Sequence, residues 1–242
     1  MNVATEYRAG VFALTGICGL IDVACFVAIG GVFAELMTGN LLLVGISIGT
    51  RQFDPNAAAL YASAIVPFLL GAFAAGLLTN RRASLGPRVI GYPVEYVCIV
   101  TGTAIAVLTH PTQIATPGLY QASDGYLPQR LLIVGFLAFA MGIHNAIMRK
   151  HGVPDIATNV MTLTLAGLVA ESRLAGGPAT HWQRRLASIA IFITGAAFGA
   201  WLLQFGVAAP LVVASAIFTA ALYPLMKGRH SQAGQPVIVP SR

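Results

Sequence analysis

Six apolar stretches long enough to cross a lipid bilayer constrain this chain more than any other feature. They lie at about 11–32, 57–79, 89–109, 128–148, 186–205 and 208–226. A helix needs roughly 17–25 residues to cross the hydrocarbon core. Of the 242 residues only 9% are charged, whereas a soluble domain carries about 25%. The pattern predicts an all-α polytopic membrane protein with six transmembrane helices.

Two shorter apolar segments, 39–50 and 159–171, follow the first and the fourth stretch and are too short to cross. If neither crosses, every lysine and arginine except Arg51 and Arg130 falls on one side of the membrane. The positive-inside rule then places both termini in the cytoplasm. If both cross, the charge bias nearly vanishes. We therefore expect two re-entrant half-helices beside the six spans.

Three sequence matches at nearly constant offset indicate an internal duplication. They pair Gly19-Leu-Ile-Asp22 with Gly142-Ile-His-Asn145, Met37–Leu41 with Met161–Leu165, and Gly71–Leu78 with Gly195–Leu202. With three spans in each repeat, the second repeat must run opposite to the first, as in many transporters. The predicted organisation is a first repeat at 1–122, an inverted second repeat at 123–226, and a polar cytoplasmic tail at 227–242.

A carboxylate near the middle of the first span is the clearest sign of a functional site. A charged Asp22 at that depth costs about 3 kcal/mol on insertion scales, so it needs either a hydrogen bond from a facing helix or a polar cavity. Opposed re-entrant helices would point their N-termini at the bilayer centre. The predicted substrate pathway is lined by Asp22, Thr38, Asn40, Asn145, Thr158, Asn159 and Thr162. It would accept a small anion or a neutral polar solute; the alternative is a dry bundle in which these groups satisfy each other.

Two further titratable residues are candidates for a proton relay with Asp22. His144 titrates near neutrality, although a lone histidine at a helix end is also a common interfacial residue. Glu95 is a second candidate, or it snorkels toward the cytoplasmic interface. Glu35 is expected to be solvated at the mouth of the first re-entrant segment.

Small residues at helical spacing predict close helix packing. Gly71 in the first half, and Gly195 with Gly199 in the second, would let helices approach closely. A contact between the two repeats is favoured, and a homodimer contact is the alternative.

Other function classes lack support in the sequence. Cys18 and Cys25 lie too far apart on one helix for a disulfide, there is no CxxC pair, and the five histidines are scattered. No metal site and no cofactor are therefore predicted. No phosphate-binding loop, dinucleotide fingerprint or nucleophile elbow is present, so we expect no enzyme. The net charge of +6 sits at segment ends, which indicates lipid and topology rather than nucleic acid.

Four of these segments together resemble a known family. Gly19-Leu-Ile-Asp22, the stretch FVAIGG at 26–31, Met37-Thr-Gly-Asn-Leu41 and Met141-Gly-Ile-His-Asn-Ala146 are similar to the YoaK-like family of bacterial inner-membrane proteins. The resemblance covers nearly the whole chain and implies a multi-pass protein of the bacterial inner membrane, with no settled substrate. The family tends to have a glutamine before the asparagine and a later Thr-Gly pair, where this chain has His144 and Thr162-Leu163.

The sequence thus favours a small inner-membrane transporter or channel that moves a small polar or anionic solute through a midplane site, with or without proton coupling. The alternative is a non-transporting assembly or sensor protein with a dry polar core. Its expected partners are membrane lipid, an unidentified solute and, for the homodimer alternative, a second copy.

Overall fold

All regular structure in the described residues is helical. A computed structural model describes residues 3–51, 54–81, 87–111, 125–153, 156 and 161–227. The helices are α1 (Val3–Ala24, continued by a π-helical turn at Cys25–Ile29), α2 (Met37–Gly49), α3 (Pro55–Arg81), α4 (Pro87–Thr109), α5 (Leu127–His151), α6 (Met161–Ala170), α7 (Trp182–Leu202) and α8 (Ala209–Lys227). Short 3₁₀ turns lie at Arg173–Ala175 and Leu203–Phe205.

Six of the described helices are long and apolar enough to cross a membrane. Their spans are Thr5–Ile29, Pro55–Asn80, Val89–Thr109, Leu127–Lys150, Trp182–Phe205 and Ala209–Met226. For the described residues the prediction of an all-helical, multi-pass membrane protein is confirmed, with six helices that have the length and composition of membrane spans. The two remaining helices, α2 and α6, have 13 and 10 residues, fewer than a crossing requires.

The first span ends about three residues earlier than the apolar pattern suggested. After the π-helical turn the chain leaves helical geometry at Gly30 and then adopts a left-handed conformation at Gly31, with φ of +65°, which glycine tolerates without steric cost. The fully buried Arg130, in the first turn of α5, donates to the carbonyl oxygens of Ala28 and Ile29. A cation on these last carbonyls stabilises the negative end of the helix dipole.

Helices α1 and α5 form the centre of the bundle. In the most apolar window of each span, 67% of residues are buried for α1 and 61% for α5, against 22% for both α3 and α7. Helix α1 packs against α7 and α8, whereas α5 packs against α3 and α4, and α4 contacts α8. Each central helix is therefore enclosed mainly by helices from the other half of the chain.

Glycines set the closest of these contacts. A Cβ atom on Gly142 of α5 would lie 2.9 Å from the Ala72 nitrogen of α3, and one on Gly19 of α1 would lie 2.8 Å from the Ala196 nitrogen of α7. Both separations are shorter than real Cβ contacts. The backbones approach this closely only because glycine has no side chain.

The three glycines predicted to pack helices lie at the same two interfaces. Gly71 of α3 lies against the Phe139 carbonyl of α5, Gly195 of α7 lies against the Gly16 carbonyl of α1, and a Cβ on Gly199 would lie 2.6 Å from Val23 of α1. All three contacts join the first half of the chain to the second.

The two short helices present apolar faces outward. Helix α2 touches the bundle chiefly through α3, and α6 through α7. Their exposed large side chains are Leu41, Leu42, Ile46 and Ile48 on α2, and Leu163, Leu165 and Val169 on α6. Such faces are suited to hydrocarbon rather than to water.

Candidate functional site

Polar side chains from both halves of the chain meet inside the bundle. The buried polar cluster consists of Cys18 and Asp22 on α1, Glu35 in the loop before α2, Glu95 on α4 and His144 on α5, each at most 7% exposed. Cys18 and Asp22 are four residues apart on α1, so they share one face of that helix. The cluster therefore forms where α1, α4 and α5 face the loop before α2.

Asp22 holds that loop in place. Its Oδ1 atom accepts a hydrogen bond from the backbone nitrogen of Glu35 at 2.8 Å. Its Oδ2 atom is buried and has no hydrogen-bond partner among the described residues. One oxygen of Asp22 thus has a structural role that the other does not share.

Asn40 fixes the same loop from its other side. The Asn40 amide donates to the Phe33 carbonyl at 2.7 Å, and its oxygen accepts from the Phe33 nitrogen at 2.8 Å. The Asn40 side-chain amide thus satisfies both the N–H and the C=O group of Phe33, as the backbone of a neighbouring strand would do in a sheet. The Met-Thr-Gly-Asn segment therefore holds the entry to α2, at the position where the sequence predicted a substrate contact.

His144 pairs with Glu95 rather than with Asp22. The His144 Nδ1 atom lies 3.0 Å from Glu95 Oε1, and both side chains are fully buried. The snorkelling alternative for Glu95 is wrong because the side chain packs inward from α4. The His144 Nε2 atom has no hydrogen-bond partner among the described residues.

Glu35 is buried rather than solvated, contrary to the expectation from sequence. It is 7% exposed, and neither carboxyl oxygen makes a hydrogen bond within the described part of the chain. Burial raises the pKa of this carboxyl to about 7. The loop turns inward because Asp22 binds its backbone, and this carries the Glu35 side chain toward Cys18 and Asn145.

Three donor atoms of different chemistry converge in the cluster. The Cys18 sulfur, a Glu35 carboxyl oxygen and a His144 ring nitrogen all lie within 4.8 Å of one another. Thiol, carboxylate and imidazole are the side chains that bind zinc-like metals. Sequence spacing did not indicate this set because its members come from α1, a loop and α5.

Two of the predicted pathway residues point away from the cluster. Thr38 and Thr162 are exposed, whereas Asn40 and Thr164, each two positions further along the helix, are buried. Two residues on an α-helix are about 200° apart, so only one of each pair can face inward. Thr158 and Asn159 lie outside the described residues.

Asn145 borders the cluster beside Glu35. It is half-buried, and its amide donates to the Met141 carbonyl of its own helix at 2.9 Å. Sequence reasoning did not select Cys18, Glu35 or Arg130 as site or core residues. The available signals are an acid two positions before the Met-Thr-Gly-Asn segment and an arginine at the start of an apolar span.

Comparisons with known proteins agree with the resemblance seen in the sequence. The chain is 26% identical over 170 residues to "UPF0700 transmembrane protein YoaK" of Bacillus subtilis (strain 168), which covers 69% of this chain and 68% of the relative. No solved structure matches the chain. The model of the family described as "Protein of unknown function (DUF1275)" matches residues 10–223. That match spans most of the chain, so the protein belongs to this uncharacterised family of multi-pass membrane proteins.

Proposed function

We propose that the protein is a small membrane transporter or channel that moves a polar solute through the bundle interior at the buried polar cluster. The observation that carries the proposal is the convergence of three carboxylates, a histidine and a thiol inside a membrane bundle. Ionisable groups at membrane depth are costly, and they commonly mark substrate or ion pathways. We expect no covalent chemistry on the solute.

Hydrogen bonding within the fold explains only part of this cluster. Asp22 Oδ1 and Glu95 Oε1 have clear partners. Asp22 Oδ2, both Glu35 oxygens and His144 Nε2 have none among the described residues. A dry structural core would be expected to satisfy such atoms, whereas a site for water or solute leaves them available.

The packing supports the inverted-repeat arrangement that many transporters have. Gly142 contacts Ala72, and Gly19 contacts Ala196. The two glycines are 123 residues apart in the chain and the two alanines 124, which are the same offsets that relate the sequence matches. In this proposal residues 1–122 and 123–226 are the two halves, and α1 and α5 are equivalent central helices.

In the same arrangement, the short helices α2 and α6 are the re-entrant pair. Both are too short to cross, both carry outward apolar faces, and each packs mainly on the next span of its own half. The segments that lead to them would enter from opposite faces of the bacterial inner membrane, so that both helix N-termini would lie near the bilayer centre. Both chain termini would then lie in the cytoplasm, as the charge distribution predicts.

The charge of the cluster restricts the solute. Carboxyl groups repel an anion in a low-dielectric interior when they are ionised, and a pKa of about 7 for Glu35 keeps that form accessible near neutral pH. The geometry therefore favours a cationic or neutral solute over the anion that the helix termini alone would accept.

The native Cys18 thiol provides the test of water access. A variant with Cys25→Ala and Cys98→Ala retains Cys18 alone and is treated with a small membrane-impermeant thiol reagent from each side. Cys18 is only 1% exposed, so labelling from one side requires an internal aqueous route. We expect such labelling.

A matched control uses Cys25, which is fully buried in the π-helical turn and belongs to no polar cluster. The variant with Cys18→Ala and Cys98→Ala should remain unlabelled until it is denatured. If Cys18 is equally silent in folded protein, the core is dry. The protein would then be a non-transporting assembly or sensor component.

A further inference from the structure

We propose that Cys18, Glu35 and His144 form a binding site for one divalent transition-metal ion of the zinc and cobalt class. As an identification of the transported solute, this inference rests on the proposed function. As a metal site, it depends only on the geometry of the three side chains.

The donor set selects the class of ion. Cysteine sulfur and histidine nitrogen suit zinc and its first-row neighbours, whereas magnesium and calcium prefer sites made of oxygen alone. The three donor atoms lie within 4.8 Å of one another. Around tetrahedral zinc, bonds of about 2.0–2.3 Å place neighbouring ligands roughly 3.3–3.8 Å apart. Side-chain movement of about 1 Å would therefore close the site.

Cys18 and Glu35 contact each other, and little else in the described part of the chain competes with an ion for these donors. Neither oxygen of Glu35 has a further hydrogen-bond partner in the described part of the chain, and the same is true of the Nε2 atom of His144. The Glu35 side chain is only 7% exposed, and His144 is fully buried. Unsatisfied polar atoms at this depth are expensive, and a bound ion would satisfy them together.

Glu95 completes the arrangement from behind the histidine. It holds His144 Nδ1 at 3.0 Å, which leaves Nε2 as the ligand atom. A carboxylate on the far nitrogen orients a metal-binding imidazole and raises its basicity. Glu95 is thus a positioning residue and not a ligand.

The charges also balance when an ion is bound. On binding, the Cys18 thiol releases its proton to water, as does the Glu35 carboxyl where it is protonated. The resulting thiolate and carboxylate carry two negative charges, which a divalent cation neutralises. Three protein ligands leave a fourth coordination position open. The unpartnered Oδ2 atom of Asp22 lies on the same face of α1 as Cys18. An open position suits an ion that has to enter and leave.

Cobalt binding to the purified full-length protein tests the site. Co²⁺ bound through a thiolate gives a charge-transfer band in the near ultraviolet, and tetrahedral Co²⁺ gives visible ligand-field bands. We expect one Co²⁺ per chain with both signatures, and displacement by Zn²⁺. Cys18→Ser should abolish the charge-transfer band, whereas the matched control Cys25→Ser should keep it.

Two further variants distinguish loss of a metal ligand from loss of the folded structure. His144→Gln should remove binding, and Glu95→Gln should weaken it by about 10- to 100-fold while leaving the thiolate band in place. In the protein with Cys18 as its sole cysteine, Zn²⁺ should slow alkylation of that thiol. Absence of Co²⁺ binding in the unmodified protein, or a thiolate band that survives Cys18→Ser, would overturn the site.

Ion flux separates this inference from the proposed function. In liposomes containing the protein and an internal metal-sensitive dye, Co²⁺ entry should depend on Cys18 and His144. Binding without flux, together with a silent Cys18 in the labelling test, would leave the metal site standing and refute transport. Labelling of Cys18 without any metal binding would refute the metal site and leave transport standing.

Discussion

At the scale of single residues, Asp22 combines a structural role with a place in the proposed solute pathway. One carboxyl oxygen holds the backbone of Glu35, while the other is buried without a partner. The two roles can be separated because asparagine retains an acceptor oxygen but loses the charge.

Substitution of Asp22 should show this separation. Asp22→Asn is expected to unfold within about 1 kcal/mol of the unmodified protein, because the hydrogen bond to the Glu35 nitrogen survives. Asp22→Ala leaves that nitrogen buried and unpaired, which costs about 1–3 kcal/mol. Denaturant unfolding in detergent measures both. Equal destabilisation by the two variants would show that the charge, and not the acceptor, holds the loop.

Asp22→Asn also tests proton coupling. If the protein is a proton-coupled carrier, transport by this variant should lose its pH dependence. The asparagine amide does not ionise, so it cannot bind and release a proton as the aspartate carboxyl does. Internal dyes for pH and for the transported ion, in liposomes, measure the two fluxes together. A passive channel would instead keep its flux with altered selectivity, and pH dependence retained in full would exclude Asp22 as the coupling group.

Asn40 should contribute to stability more than its exposed neighbour Thr38. Asn40→Ala removes both hydrogen bonds to Phe33 and should cost about 1–3 kcal/mol. Thr38→Ala alters an exposed side chain on the opposite face of α2 and should change stability by less than about 0.5 kcal/mol. Comparable unfolding of the two variants in detergent would contradict the role assigned to Asn40.

At the scale of helices, the closest contacts have no space for even one methyl group. Gly142→Ala would place Cβ against the backbone of α3 near Ala72 and should destabilise the protein by about 1–3 kcal/mol. Gly76→Ala on α3 is the matched control, since nothing lies within 4 Å of the added atom. Thermal unfolding in detergent should separate the two. An unaffected Gly142→Ala protein would mean that α3 and α5 are further apart than described.

The helices themselves could be predicted from sequence, but the cluster could not. Span length and apolar content are local properties, so all six spans were recognised. The sequence predicts the end of the first span too late, because FVAIGG is apolar throughout and the composition gives no sign of the π-helical turn. Glu35 was expected in solvent because the groups that bury it come from other segments, including Asn145 more than one hundred residues later. Residue type alone predicts a pathway role for Thr38, whereas the helical rotation that turns this side chain outward depends on how Asn40 binds the loop.

At the scale of the whole molecule, orientation in the membrane is a direct prediction. A reporter active only in the cytoplasm should be active when fused before α1 or after α8, and inactive when inserted between α4 and α5. Six spans place both ends on one side, and the basic residues cluster there. Activity between α4 and α5, with silence at both ends, would invert the orientation. Reporters on opposite sides at the two ends would contradict six spans.

The enclosure of α1 by the last two helices has a consequence for synthesis. Helix α1 leaves the ribosome well before α7, which begins only at Trp182. At roughly 5–20 residues per second the delay is about 10–30 s. Throughout that interval α1 sits in the membrane without the helices that cover it, and the insertion machinery has to shelter it. Chains that stop before α7 should therefore be degraded by membrane proteases instead of accumulating as a stable half-protein.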